Sequence, residues 1–167
     1  PSTEIYGLAE SDGTLWAITS DGQLARRRHG RFESIPTATT GLSAYAGIGA
    51  DRRGRLYFTR SDGLVRAELD ASGAPTFQLL VPGAIEQLTV QGDLVHFVLA
   101  GEVMRWSDDA GLVSISKTTS LPTDSWRCIV EDPSGALWVR SRPRLVVLPR
   151  GASAFVDRSQ NVPPFTK

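Results

Sequence analysis

The chain has 167 residues, enough for one core, and its 18 acidic and 18 basic side chains cancel, which removes the long-range field that nucleic acid or an anionic membrane would require. Its one cysteine, Cys128, excludes an intrachain disulfide and a cysteine-based metal cluster, a pattern that suits a cytosolic protein and a bacterial periplasmic domain alike. The longest aliphatic run, Leu145-Val146-Val147-Leu148, is far below the roughly 18 apolar residues that cross a bilayer, and no basic-then-apolar leader opens the chain; beginning at Pro1 without an initiator Met, it is expected to be an excised or processed piece with no membrane insertion of its own.

Taken from the start, residues 5–9 read as a strand, Glu10-Ser11-Asp12-Gly13 as a turn and residues 15–19 as the next strand. Ser20-Asp21-Gly22 makes a hairpin into residues 23–27, and residues 31–35 follow a second hairpin near His29-Gly30. The same order returns with the turn Asp51-Arg52-Arg53-Gly54, the strand opening Leu56-Tyr57 and the hairpin Ser61-Asp62-Gly63, 41 residues after its first copy. Small residues before it, Gly47, Gly49 and Ala50, suit a crowded inner strand. A third, degenerate copy has Gln91-Gly92-Asp93 as its turn, Leu94-Val95 in place of Leu-aromatic, and Gly101 at the hairpin.

The fourth copy is the clearest. Leu121-Pro122-Thr123-Asp124 turns into a strand in which Trp126, Cys128 and Val130 alternate with Arg127, Ile129 and Glu131. Asp132-Pro133-Ser134-Gly135 is a turn in which Asp bonds the backbone ahead and Gly accepts positive φ. Leu137-Trp138-Val139 follows, then strands over 144–149 and 153–157 with Gly151 between them and a changed turn near Arg142-Pro143. No stretch carries helical apolar spacing.

Aligned on their glycines, the copies start at Gly13, Gly54, Gly92 and Gly135, at intervals of 41, 38 and 43 residues. A period near 40 built from short strands predicts an all-β chain, a β-propeller segment of about four four-stranded antiparallel blades belonging to a larger propeller. The blades are expected over 1–41, 42–83, 84–122 and 123–167. Gly13, Leu15, Trp16, Gly54, Leu56, Tyr57, Gly92, Leu94, Asp132, Gly135, Leu137 and Trp138 are the residues that carry the repeat.

Leu121-Pro122-Thr123-Asp124, Trp126, Ile129, Glu131-Asp132, Gly135 and Leu137-Trp138-Val139 together resemble the two-component regulator propeller repeat. That repeat reads Leu-Pro-Ser/Thr-Asn/Asp, an aliphatic strand, Asp-x-x-Gly-x-Leu-Trp and then Ile/Val-Gly-Thr. Glu10, Gly13, Leu15, Trp16 and Thr19 keep part of it in the first copy, and Asp51, Gly54, Leu56 and Tyr57 in the second, where Gly41-Leu42-Ser43 echoes the entry turn. Arg140-Ser141 departs from the usual Gly-Thr. The resemblance implies a periplasmic sensor propeller from a membrane-anchored bacterial signalling protein with a histidine kinase or diguanylate cyclase output.

Several residue groups invite a chemical reading, each beside a plainer one. Trp16, Tyr57 and Trp138 recur at one repeat position, where an aromatic cage is possible but packing between sheets is expected, with Trp138→Ala costing about 3–5 kcal/mol. Arg26-Arg27-Arg28-His29-x-Arg31 is the densest charge run, a candidate anion site or a solvated hairpin tip. Arg140, Arg142 and Arg144 alternate and, if extended, share one face that binds an anion or guards a sheet edge. The ligand-binding candidates are therefore Arg26, Arg28, Arg140, Arg142 and Arg144. Asp12, Asp21, Asp62 and Asp132 precede glycines as turn formers, without the convergence calcium needs. Asp108-Asp109 reads as a loop, His96 as a strand residue and Cys128 as a buried inert thiol.

These readings assign no catalytic, cofactor or metal residue. The expected function is non-enzymatic: a sensor or binding module for a small molecule, a glycan or a protein, with no nucleic acid partner. Alternatives are a propeller enzyme, a lyase or hydrolase acting on a polysaccharide or small lactone, and a structural scaffold. Four blades that do not close a ring also predict self-association through their open faces.

Overall fold

The computed structural model describes residues 4–19, 23–35, 47–70 and 73–161. Four antiparallel sheets follow one another, each with four strands in chain order from the inside outward. Blade 1 holds β1 (Ile5–Ser11), β2 (Thr14–Thr19), β3 (Leu24–Arg28) and β4 (Arg31–Ile35); blade 2 holds β5 (Ile48–Ala50), β6 (Leu56–Arg60), β7 (Gly63–Leu69) and β8 (Pro75–Pro82). Blade 3 holds β9 (Ile85–Gln91), β10 (Leu94–Leu99), β11 (Glu102–Ser107) and β12 (Gly111–Ser114), and blade 4 holds β13 (Cys128–Glu131), β14 (Leu137–Arg140), β15 (Leu145–Leu148) and β16 (Val156–Asp157). The chain is an all-β propeller segment.

Period-two alternation gives each blade two faces, and neighbouring blades bury them against each other. Trp16, Ile18 and Leu24 of blade 1 meet Leu56, Phe58 and Val65 of blade 2. The other face of blade 2, with Tyr57 and Leu64, meets Val95, Phe97, Met104 and Trp106 of blade 3. Val98 and Val103 on the far face of blade 3 meet Ile129, Leu137, Val139 and Val146 of blade 4. The inner strands β1, β5, β9 and β13 pack in that order. There the chain tolerates no bulk: a Cβ on Gly49 would come within 2.5 Å of Val90, so the crowding expected of the inner strand is real.

Charged residues join blades 2 and 3 at their rims. Asp108 accepts from Arg55 and, at 2.9 Å, from Arg66. The two guanidiniums stack over Tyr57 and Trp106, at 5.8 and 5.9 Å from the ring centroids. Asp108, expected as plain loop, is therefore a clasp between blades, and hydrogen bonding to Arg55 holds its carboxyl below the usual carboxylate range.

Three expectations need correction. Cys128 is exposed rather than buried, and Val130 beside it is 48% exposed, while Trp126 and Ile129 are buried. The reason is a bulge: the Arg127 amide donates to Arg140 O at 2.7 Å although Cys128 is the register partner of Arg140, so two residues oppose one and the facing flips. Trp138 does not lie in a blade interface like Trp16 and Tyr57 but is half-buried on the outer face of blade 4. A short helix that no periodicity announced, α1 (Ile115–Thr118), links blades 3 and 4, with Ser114 Oγ accepting from the Lys117 amide at 3.1 Å. Ser20-Asp21-Gly22 and Gly41-Leu42-Ser43 lie outside the described residues.

Candidate functional site

Two of the inner turns are built around an aspartate. Asp51 Oδ1 accepts from the amides of Arg53 and Arg55, each at 2.9 Å, and Oδ2 accepts from the Tyr57 hydroxyl at 3.1 Å. Asp132 repeats this: Oδ1 accepts from the amides of Ser134 and Ala136 at 2.8 and 3.1 Å, and Oδ2 from Trp138 Nε1 at 2.8 Å. Hydrogen bonds from the Ser134 hydroxyl, then from Trp138, bring the Asp132 carboxyl down to about 2. Gly135, at φ +83, closes the turn in a conformation other residues resist. The Asp-x-x-Gly-x-Leu-Trp spacing is thus a turn whose carboxylate caps two amides and one aromatic tip. Burial, reinforced by Asp51, pushes the Tyr57 phenol up to about 12.

Blades 1 and 3 replace that turn with two-residue connections, pairing Ser11 with Thr14 and Gln91 with Leu94. In blade 1, Trp16 Nε1 is consequently buried without a partner. In blade 3 the glycine is the first residue of the connection, whereas Gly13 is the second in blade 1, so the strand is shifted by one residue relative to its glycine. Val95 and Phe97 take the facing of Leu56 and Phe58, toward the preceding blade. His96, not Val95, therefore stands where Trp16, Tyr57 and Trp138 stand in the other blades, and it faces blade 4.

Thr89 and Arg105 are the cross-strand partners of His96 on β9 and β11. The three make a polar row across a blade face, opposite Glu131 at the end of β13. His96 Nδ1 lies 3.2 Å from Glu131 Oε2, with the two side chains only 8% and 12% exposed. The approach lacks hydrogen-bond alignment, so both atoms are buried and unpartnered, as is Arg105 Nε. Each such group costs about 1–3 kcal/mol.

His96, Arg105 and Glu131 stand among the lining of a cleft of about 630 Å³. Its mouth is formed by the inner turns of blades 3 and 4, the β15–β16 connection and Arg52 from blade 2. Arg150 lies with its aliphatic stem across Gly135, where a Cβ would come within 3.0 Å of it, and the Arg52 guanidinium lies over Gly92, 3.5 Å from where a Cβ would stand. Burial, assisted by Arg105, presses His96 down to about 4, so the imidazole is neutral near pH 7. Burial and then Asp132 push the Glu131 carboxyl up, against the pull of Arg150. The arrangement offers guanidinium donors, a neutral imidazole and a buried carboxylate to one small solute. Among the described residues, no group of three His, Cys, Asp or Glu side chains could hold a metal ion. The opposite end of the same blade interface opens as a second cleft of about 750 Å³ near Gly101, Asp124 and Trp126.

The arginines singled out in the sequence lie elsewhere. Arg26 donates to Gly73 O at 2.8 Å, tying blade 1 to blade 2, and Arg28 is exposed at the β3–β4 hairpin. The chain turns between Ser141 and Arg144, whose backbones bond at 2.9 Å. Arg140, Arg142 and Arg144 therefore do not share one extended strand face, and Arg144 faces Asp124 at 3.9 Å. None of these five lines the blade 3–4 cleft. The residues that do, His96, Arg105 and Glu131, carried one signal in the sequence: a polar side chain at a core-facing position inside the apolar run Leu94-Val95-His96-Phe97-Val98.

No protein-family model matches the chain, and no functionally curated protein matches it. Its fold is shared with solved propellers. A catalytically inactive virginiamycin B lyase from Staphylococcus aureus, solved with quinupristin, matches at a TM-score of 0.69 and 15% identity over 93% of this chain and 55% of that one. The extracellular domain assigned to a hybrid two component system of B. thetaiotaomicron matches at 0.71 and 17% over 99% of this chain and 24% of that one. YCF48 bound to a D1 peptide matches at 0.69 and 12% over 95% and 56%. The chain thus spans little more than half of the lyase and of YCF48, and about a quarter of the two-component domain. What it shares with them is the fold, in both an enzyme and the extracellular domain of a two-component system.

Proposed function

We propose that this chain is a non-enzymatic, ligand-binding propeller segment of a bacterial signal-transduction protein of the two-component regulator propeller type, displayed in the periplasm ahead of a membrane anchor. The binding half rests on one observation: His96, Arg105 and Glu131, polar side chains each with a buried, unpartnered atom, stand among the residues that line a cleft between blades 3 and 4, the usual setting of a small-molecule site. The signalling half rests on the repeat around Asp132-Pro133-Ser134-Gly135 and on a fold held in common with a two-component extracellular domain. A ligand touching both blades changes their mutual seating, and that change passes to the attached domain or to a neighbouring copy. The outer faces of blades 1 and 4 are covered by further blades or by a second copy.

The second reading is a propeller enzyme of the lyase or hydrolase class. The closeness of His96 to Glu131 and the fold shared with virginiamycin B lyase favour it, while an imidazole held at about 4 is a weak base near neutrality. Equilibrium dialysis of the whole chain against a metabolite and oligosaccharide library, read by mass spectrometry, separates the two. Binding predicts compounds retained unaltered, and lost from the Glu131→Gln variant. Converted compounds would establish the enzyme, and retention of nothing would remove both.

A further inference from the structure

We propose that the cleft between blades 3 and 4 takes a sugar acid of the uronate class, its carboxylate held between the Arg105 and Arg150 guanidiniums and a ring hydroxyl donating to Glu131. This rests on the ligand-binding reading above and names its ligand. The charge count comes first. Arg52, Arg105 and Arg150 border the cleft against Glu131 and Asp93, so one negative charge balances it, while a phosphate dianion is opposed by the buried Glu131 carboxylate.

The unpartnered atoms come second. Arg105 brings guanidinium donors and Glu131 a carboxylate acceptor to the lining, each with one atom already buried and unpartnered, so a solute that carries an acceptor and a donor together suits it. Arg105 lies directly across the strand pair from His96. The Arg150 charge reaches Glu131, whose titration it lowers. Both arginines belong to the lining that also holds His96 and Glu131, and a planar carboxylate suits a pair of guanidiniums. A hydroxyl on the same molecule donates to the Glu131 carboxylate, as a carboxylate alone would not.

The walls come third. Pro133 and Pro149 stand in the two blade 4 turns at the mouth and offer flat apolar surface to the C–H face of a pyranose. A volume of about 630 Å³ holds one or two sugar rings with their water.

Isothermal titration of the whole chain near neutral pH, with sodium glucuronate, glucose and sodium phosphate, tests the assignment. Glucuronate should saturate the protein, and glucose should bind at least about tenfold more weakly, the worth of a charge-assisted pair. Arg150→Ala, a change at an exposed residue that keeps the fold, should weaken glucuronate by about tenfold and leave glucose unaffected. Glu131→Gln should weaken both sugars. Glucose binding as tightly as glucuronate, phosphate displacing it, an Arg150→Ala chain binding normally, or no heat from any of the three overturns the sugar-acid assignment. If glucuronate fails while the dialysis experiment still shows a retained compound lost on Glu131→Gln, the binding reading stands and only the ligand class falls.

Discussion

His96 replaces an aromatic at a position that points into the next blade, and that single exchange makes the blade 3–4 contact unlike the others. A buried neutral imidazole ties stability to pH in a definite direction. His96 titrates at about 4 in the folded chain, below its ordinary 6.5, so the unfolded chain takes up the proton first. Its contribution is full above about 6.5 and is lost as pH falls toward about 4, at most about 3 kcal/mol in all. Glu131 works in the opposite sense, because its raised carboxyl pKa lets the folded state bind a proton before the unfolded one does. Asp132, held at about 2, contributes above the ordinary carboxylate range and loses that contribution only at lower pH. The His96→Gln variant should therefore lose the decline in urea midpoint between pH of about 6.5 and 4. An unchanged slope in that variant would show that the imidazole is not held neutral.

At the scale of elements, one repeat position is used in different ways. Trp16 is fully buried between blades 1 and 2, whereas Trp138 is half-buried and ties itself to its own turn through Asp132 at 2.8 Å. Trp16→Ala should cost about 3–5 kcal/mol, and Trp138→Ala only about 1–2 kcal/mol, read as urea midpoints at dilute protein. A larger loss for Trp138 would mean that its face is covered in solution. The repeat was legible in sequence because turn chemistry is local: Asp132 and Gly135 act on residues within six positions. The site was not. Alignment on Gly92 puts Val95 with the aromatics, and only the pairing of Gln91 with Leu94, which makes Gly92 the first residue of its connection, reveals the slip. Arg105 and Glu131 join His96 across strand and blade pairings, which no local pattern reports. The Cys128 reversal comes equally from a bulge that alternation alone does not show.

The whole molecule is an arc whose inner blades cover both faces and whose end blades cover one. On blade 4, Val130, Trp138, Val147 and Val156 are successive register partners across the outward face, with Val130 48% and Val156 39% exposed. On blade 1, Leu8 is 52% and Phe32 42% exposed. Apolar rows of this kind are cores cut open. The chain should therefore self-associate, and light scattering should return it to 18.1 kDa when Val130→Glu and Phe32→Glu are combined. Both changes fall on exposed positions and leave the blade interfaces alone. Single variants tell how the faces meet. If blade 1 of one copy meets blade 4 of another, neither variant alone closes a ring, yet a mixture of the two forms a pair through its one intact junction. If blade 4 meets blade 4, Phe32→Glu associates by itself and Val130→Glu does not. A wild-type chain that is already an 18.1 kDa species at high concentration rules out both geometries and leaves further blades as the cover for these faces.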